Sequence, residues 1–235
     1  EERRNFIDQM ICSIDFSFKK FLSLYEKYKI ERIRILKKWN EASEEWLDLI
    51  EKKLAVTGIN ICDARRKFIK QLNLYLRDPD RPFDLLEIQL SGELDSLLLK
   101  KPAIEVEDFF LKKLKENRKK DILTGKTNFS ANKTDLIVLN KTYAREAKNH
   151  STGEQKVIIF LIIFSFMKIL KDQKELKILF LLDDVFSFLD KNFVLTVLDQ
   201  LNKLKIQTWL TDVSGDWIMK KQSFRSIIDK INIDE

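Results

Sequence analysis

The sequence is short of residues that break regular structure, with only five glycines and three prolines among 235 residues. This composition excludes a collagen-like chain and a low-complexity disordered chain. Hydrophobic residues make up 44% and charged residues 34% of the sequence. A chain of this length can bury one large core or two small ones, and we expect long helices joined by few loops.

Cysteine and histidine are also scarce. Cys12 and Cys62 lie far apart, without a CxxC partner, and His150 is the one histidine. These residues cannot supply a four-ligand zinc site and do not suggest a disulfide framework, so we expect a cytoplasmic protein. The longest apolar run, Val157 to Met167, is too short to span a bilayer and predicts a buried helix. No membrane association is expected.

The charge balance is basic, with a formal net charge of +6. Such a balance is compatible with a nucleic-acid partner or an anionic surface. A Lys-rich and Ile-rich genome would produce the same excess, so the charge alone does not decide between these explanations.

The first 80 residues have helical periodicity. Apolar residues recur at helical spacing from Phe18 to Trp39, and a second helix is predicted from Glu44, interrupted at Gly58 and resumed over Ala64 to Leu76. Two such helices predict a hairpin, so residues 1–82 form a predicted helical arm domain. The alternative is a helical subdomain with a solvated charged face and no contact to DNA.

The composition changes after Asp78 to Pro82, where two prolines predict a linker. The pattern beyond it predicts strands at 86–90, 136–139, 178–182 and 206–210, and helices at 106–120 and 192–204. Strand–helix–strand order near the carboxyl end favours parallel pairing. Residues 83–235 are therefore a predicted α/β domain.

Two carboxylates follow the most apolar predicted strand, Ile178 to Leu182, which we expect to be buried. Asp183 and Asp184 lie where that strand ends. Ligands of α/β folds bind at the carboxyl edge of the sheet. One acid could hold Mg²⁺ beside a phosphate while the other orients the attacking water. A solvated Asp-Asp turn is the alternative.

A second motif, Ser151-Thr-Gly-Glu-Gln-Lys156, precedes the apolar helix. Ser151 and Glu154 have the spacing of a capping box, and Gly153 permits close backbone approach. The free N–H groups of a helix N-terminus form an anion site. The order of cap, buried helix, acidic strand and Ser187-Phe-Leu-Asp190 is that of the signature, Walker B and D-loop of an ABC-type ATPase.

These motifs resemble the RecF family, which has S-x-G-E/Q-x-K, L-L-D-D/E-V-x-x-x-L-D and Q-V-x-x-T in this order. The corresponding segments here are 151–156, 181–190 and 207–211. The N-terminal third is similar as well, through Arg3-Arg-Asn-Phe-Ile-Asp8 and Tyr25-Glu-Lys-Tyr-Lys-Ile-Glu-Arg32.

The resemblance implies the C-terminal part of an ABC/SMC-like ATPase head with an inserted helical arm. It implies DNA replication and recombinational repair, a role in the SOS response, binding to single-stranded or gapped DNA, and RecR and RecO as partners. ATP and Mg²⁺ would be the cofactors of a homodimer with slow, DNA-dependent hydrolysis.

The same resemblance assigns roles to individual residues. Asp184 would be catalytic, and Asp183 would be the Mg²⁺ ligand. The nucleotide-binding residues would be Ser151, Gly153, Glu154, Asp183 and Asp190, with those of one head contacting the nucleotide held by the other.

The sequence contains no phosphate-binding loop. Gly125-Lys-Thr127 resembles the end of one, but Lys120 stands where the first glycine of G-x-x-x-x-G-K-[ST] is required. We therefore expect the chain to represent the C-terminal two-thirds of a RecF-type protein, without its Walker A region. Two alternatives are a degenerate, non-enzymatic DNA-binding or partner-binding module, and a different SMC-like head with a short arm. The family segment G-P-H-R is also altered here, to Ser130-Ala-Asn-Lys133.

Overall fold

The computed structural model describes residues 1–38, 44–78, 83–172, 177–183, 189–211, 216–219, 222–225, 228–229 and 231. The chain divides into two compact units. Unit 1 comprises Glu1–Arg77 and Leu85–Ala147, and unit 2 comprises Asp78–Asp84 and Lys148–Glu235. The predicted domains, 1–82 and 83–235, divide the chain at a different place and stay a prediction.

Unit 1 begins with three helices, α1 (Glu2–Ile14), α2 (Phe16–Lys37) and α3 (Glu44–Leu76). Asp15 caps α2 by accepting hydrogen bonds from the backbone N–H groups of Ser17 and Phe18. The helices α2 and α3 pack antiparallel, since residue 25 lies beside residue 58 and residue 32 beside residue 51. They form the hairpin that the periodicity predicts. Residues 39–43, which include the end of the first predicted helix at Trp39 and the connection to the second, lie outside the described residues.

The predicted interruption at Gly58 is wrong, because α3 runs unbroken through this residue. Glycine is required here by packing and not by a turn. A β-carbon at position 58 would lie 2.6 Å from Cε1 of Phe110 and 3.0 Å from Cε2 of Tyr25. The missing side chain lets two aromatic rings approach the helix backbone.

The rest of unit 1 is a small sheet with short helices. The strands β1 (Leu86–Ser91), β2 (Asp135–Asn140) and β3 (Arg145–Glu146) pair antiparallel in that order. Between the first two lie α4 (Glu93–Leu98), α5 (Ala103–Glu116) and α6 (Arg118–Thr124). The helix predicted over 106–120 is therefore two helices, which meet at Asn117. The side chain of Asn73 bonds both the N–H and the carbonyl of Ile88, each at 2.8 Å, and so fixes α3 to β1.

Unit 2 contains α7 (Thr152–Asp172), β4 (Leu179–Leu182), α8 (Lys191–Leu204) and β5 (Gln207–Leu210), followed by the short α9 (Asp216–Met219) and α10 (Gln222–Arg225). The strands β4 and β5 are parallel, with Leu182 opposite Leu210. The α/β class and the parallel pairing predicted from the sequence are confirmed.

The predicted burial of β4 on both faces is wrong. Leu179 and Leu181 are 55% and 67% exposed, and Trp209 on the neighbouring strand is 56% exposed on the same face. The opposite face is covered, since the ring of Phe180 lies 6.4 Å from that of Phe160 on α7. In the described part of the chain, no helix is long and apolar enough to cross a membrane.

Candidate nucleotide-binding site

The N-terminus of α7 carries the capping box that the spacing of Ser151 and Glu154 predicts. Oε2 of Glu154 accepts hydrogen bonds from the backbone N–H and from the hydroxyl of Ser151, both at 2.7 Å. In return, the N–H of Glu154 is directed to Oγ of Ser151 at 3.4 Å. These reciprocal bonds occupy donors that the first helical turn cannot satisfy by itself.

The charge of Glu154 is strongly stabilised by this arrangement. The Ser151 hydroxyl, and after it the Ser151 backbone N–H, lower the pKa of Glu154 from an ordinary 4.5 to about 2. His150, whose side chain is buried, has Nδ1 3.4 Å from Oε1 of the same carboxylate. A negative charge therefore already occupies the helix N-terminus, where a phosphate would be attracted.

Gly153 leaves open space beside this cap. Among the described residues, and apart from its chain neighbours and the backbone of α7, a β-carbon built at position 153 would meet no heavy atom within 4 Å. Gln155 holds the approach to the helix, since its amide group donates to the carbonyl of His150 at 2.9 Å and to that of Lys148 at 3.3 Å. The first turn of α7 is thus anchored on one side and open at Gly153.

Asp183 lies at the carboxyl end of β4, as predicted. Its Oδ1 accepts a hydrogen bond of 2.7 Å from Oγ1 of Thr211, and the N–H of Thr211 donates to the carbonyl of Leu182 at 2.9 Å. The end of β5 therefore orients the carboxylate at the end of β4. Thr211 is the last residue of the segment 207–211 that resembles the Q-V-x-x-T motif, and its place after a parallel strand could have suggested this role from the sequence.

Of the remaining predicted residues, Asp190 lies within the described part of the chain, and Asp184 and Ser187 do not. Asp190 is exposed, and its Oδ1 caps α8 by accepting from the N–H of Phe193 at 2.9 Å. Asp184 and Ser187 lie outside the described residues. Within the described part of unit 2, Ser151 and Glu154 are joined to each other, while Asp183 is joined to Thr211 and not to the cap.

The described residues fit a magnesium site to which the protein contributes a carboxylate and not a complete set of ligands. Among the described residues, no group of three or more His, Cys, Asp or Glu side chains could hold a metal ion. Mg²⁺ is commonly held by one or two protein carboxylates together with waters and substrate phosphates. Asp183, exposed at a strand end with one oxygen oriented by Thr211, is a ligand of this kind.

Two segments of unit 1 are clearly different from a nucleotide site. Gly125, at φ 65°, ends α6, and Asn128 N–H donates to buried Asp121, so Gly125-Lys-Thr127 closes a helix and does not open one. The segment 130–133 is tied to the helices, because the N–H of Ala131 donates to the Tyr25 hydroxyl at 2.8 Å and its carbonyl accepts from Arg65 at 2.8 Å.

Curated proteins similar to this chain are named DNA replication and repair protein RecF. That of Rickettsia prowazekii is 30% identical over 217 residues, 92% of this chain and 60% of the relative. That of Rickettsia bellii is 32% identical over 221 residues, covering 91% and 59%, and that of Mesorhizobium japonicum 30% identical over 212 residues, covering 89% and 56%. The chain thus spans about three fifths of these relatives. No protein-family model matches it.

Solved structures show the same fold. Two structures described as the recombination mediator protein RecF in the RecFOR pathway, one as RecF-ATPrS and one as RecF-ATP, match 91% of this chain. Their TM-scores are 0.73 and 0.74, with 24% and 23% sequence identity, and the matched regions are 57% and 58% of those chains. At this identity the likeness establishes the fold.

Proposed function

With the RecF family as its relatives in sequence and in fold, we propose that this chain is part of a RecF-like DNA replication and recombinational repair protein. In this proposal it binds DNA in an ATP-dependent manner and hydrolyses ATP slowly in a head-to-head dimer. The observation that carries the proposal is the capped N-terminus of α7, which is followed in the same unit by Asp183 at the carboxyl end of a parallel strand.

The cap would act on the nucleotide held by a second protomer. Ser151 and the N–H groups around Gly153 would donate to the terminal phosphate, and the space beside Gly153 would admit it. Because the Ser151 hydroxyl is bonded to Glu154, Glu154 would have to release Ser151 before a phosphate could accept this hydrogen. Binding would then replace one anion by another at the same helix end.

The acids would serve the metal and the water. Asp183 would hold Mg²⁺, which would neutralise charge on the phosphates when bound, while Thr211 keeps the carboxylate oriented. Asp184, assigned from its place in the sequence, would orient and deprotonate the attacking water. Asp190 would couple the two sites across the dimer in addition to capping α8.

The biological setting is part of the proposal. The names of the relatives favour DNA as a ligand, and the RecFOR pathway named for the structural relatives favours RecR and RecO as partners. Gapped or single-stranded DNA is proposed from the resemblance of the sequence motifs. A cytoplasmic location and a role in the SOS response complete this assignment.

The test uses a longer RecF chain in which this segment is joined to a phosphate-binding loop. Ser151→Arg would fill the anion pocket and should abolish ATP-dependent dimerisation while each protomer still binds ATP. Asp184→Asn should instead accumulate an ATP-bound dimer, because water attack is slowed. Asn202→Arg, an exposed change on α8, is the control and should dimerise normally. Sedimentation with and without ATP decides, and a Ser151→Arg protein that still dimerises would exclude this role.

A non-enzymatic DNA-binding or partner-binding module is the second candidate. The use of the altered segment 130–133 to anchor helices favours it, since the N–H of Ala131 donates to the Tyr25 hydroxyl. Under this function the chain binds neither ATP nor a fluorescent ATP analogue measurably. A micromolar dissociation constant for the analogue would exclude it.

A further inference from the structure

The excess positive charge of the protein lies entirely in unit 1. This unit has 29 Lys and Arg residues against 22 Asp and Glu, whereas unit 2 has 14 against 15. The unit that carries the candidate nucleotide site is therefore close to neutral, and a polyanion would be attracted to the other unit.

Most acids of unit 1 are already neutralised. Glu51 and Asp121 bond buried Arg32, and Asp8 bonds buried Arg65. On the surface, acids are paired with lysines within 4 Å at several places, such as Asp63 with Lys67, Glu105 with Lys101 and Glu116 with Lys112. The lysines that remain unpaired thus decide where the surface is positive.

Three of these lysines, Lys37, Lys120 and Lys126, lie at the turn at Gly125, and Lys38 follows Lys37 in the sequence; we call these four the Gly125 lysine cluster. Nζ of Lys37 lies 3.7 Å from where a β-carbon would stand at position 125. The backbone carbonyls of Lys120 and Lys126 lie 3.0 and 3.4 Å from Oγ1 of Thr124. Within the described residues, none of the four forms an ion pair, and all four are exposed.

Asp121 and Glu31, two acids of the described residues on the helices that carry the cluster, form no ion pair with these lysines. Asp121, the acid of α6, is directed inward to Arg32. Glu31 on α2 precedes Lys38 by seven residues, about 10 Å along the helix axis. The C-terminal ends of α2 and α6 each contribute about half a negative charge. The balance of four lysines against two helix ends leaves about three positive charges.

We propose that the Gly125 lysine cluster binds the phosphodiester backbone of DNA without nucleotide, as a contact that adds to the ATP-dependent binding of the proposed function. Lysines are point charges that bind phosphates without reading bases, so the contact is independent of sequence. This inference rests on the proposed function only for the choice of DNA as the polyanion.

The experiment measures binding of this chain to a fluorescent 30-nucleotide DNA at several salt concentrations, without ATP. The cluster variant combines Lys37→Gln, Lys120→Gln and Lys126→Gln. Its matched control combines Lys67→Gln, Lys101→Gln and Lys112→Gln, which removes the same charge from lysines that have an acidic partner. Since each phosphate contact contributes about 0.7 to the logarithmic salt slope for single strands, the cluster variant should lose about 2 from it.

The control should keep the parent slope, and a variant with arginine at the three cluster positions should bind as the parent does. Equal losses in cluster variant and control would overturn the surface while leaving DNA binding intact. A parent chain that binds no DNA would overturn both the surface and its choice of ligand, even if the longer protein binds DNA with ATP. A parent that binds anionic vesicles but not DNA would show that the partner is a lipid surface and would likewise overturn the proposal.

Discussion

Arg32 and Asp121 are 89 residues apart in the sequence, yet Nη1 of Arg32 lies 2.6 Å from Oδ2 of Asp121, and both side chains are fully buried. The same guanidinium bonds Oε1 of Glu51 at 2.9 Å and the carbonyl of Leu114 at 2.7 Å. One side chain thereby joins α2, α3, α5 and α6. Its donors are matched by acceptors, which makes burial of the charge tolerable.

Arg32→Met should destabilise the chain strongly. The change leaves Asp121 and Glu51 without the buried cation, and breaking a buried pair from one side costs about 3–5 kcal/mol. Lys29→Met, on the same helix, removes a partly exposed pair with Glu26 and should cost less than about 1 kcal/mol. Urea unfolding at neutral pH measures both, and equal losses would contradict the proposed importance of the network.

Replacement by alanine should change the stability of the chain differently at the helical glycines Gly58 and Gly153. Gly58→Ala would force a methyl group against Phe110, and overpacking costs about 1–3 kcal/mol, more than the gain of about 1 kcal/mol in helix propensity. Gly153→Ala meets no neighbour within 4 Å and should be neutral or stabilising. Thermal unfolding of the two variants tests this contrast, and a stabilised Gly58→Ala chain would refute the packing argument.

The capping box should be visible in the titration of Glu154. Because its folded pKa is lowered to about 2, its stabilising contribution is present above pH 4.5 and is lost as the pH falls toward 2. Ser151→Ala removes the main cause and should raise the pKa toward 4.5. Ser165→Ala, a hydroxyl on the same helix bonded to Leu161, should leave it unchanged. Carboxyl carbon chemical shifts measure the pKa in each protein.

The contribution of Asp95 to stability should depend on pH in the direction opposite to that of Glu154. Burial raises its pKa above the ordinary 3.8, against the opposing influence of Thr134, Arg65 and Arg66. Its Oδ1 is buried and has no hydrogen-bond partner among the described residues. The stability that this group contributes is complete below pH 3.8 and is lost as the pH rises through the folded pKa.

Asp95→Asn should therefore unfold at higher denaturant than the parent at high pH, and the difference should shrink as the pH falls. The amide oxygen of asparagine can still accept the hydrogen bond that the Thr134 hydroxyl donates to Oδ2 of Asp95 at 2.6 Å. Glu93→Gln, an exposed neighbour, is the control and should change nothing. A parent and Asp95→Asn pair with parallel pH profiles would disprove the idea.

Local patterns made much of this fold predictable. The periodicity of α2 and the spacing of Ser151 and Glu154 depend on residues within one or two turns, and the structure has both features. The interruption predicted at Gly58 was wrong because the glycine is required by the ring of Phe110, which lies 52 residues away in the sequence. The networks of Arg32 and Arg65 could not be found either, since charged residues in a helix pattern indicate a solvated face until the tertiary partners are known.

The burial of β4 likewise depends on tertiary partners that the local sequence does not reveal, and two of its leucines provide a direct test. Its unbroken apolar run predicted burial on both faces, but Leu181 is 67% exposed and Leu182 is 5% exposed. Leu182→Ala should cost about 2–5 kcal/mol, because it removes buried methyl groups and leaves a cavity. Leu181→Ala should change stability by no more than about 0.5 kcal/mol, as substitutions on the surface usually do. Chemical denaturation of these neighbours in the 235-residue chain separates the two cases. If both variants lose the same free energy, the exposed face of the sheet is covered in solution.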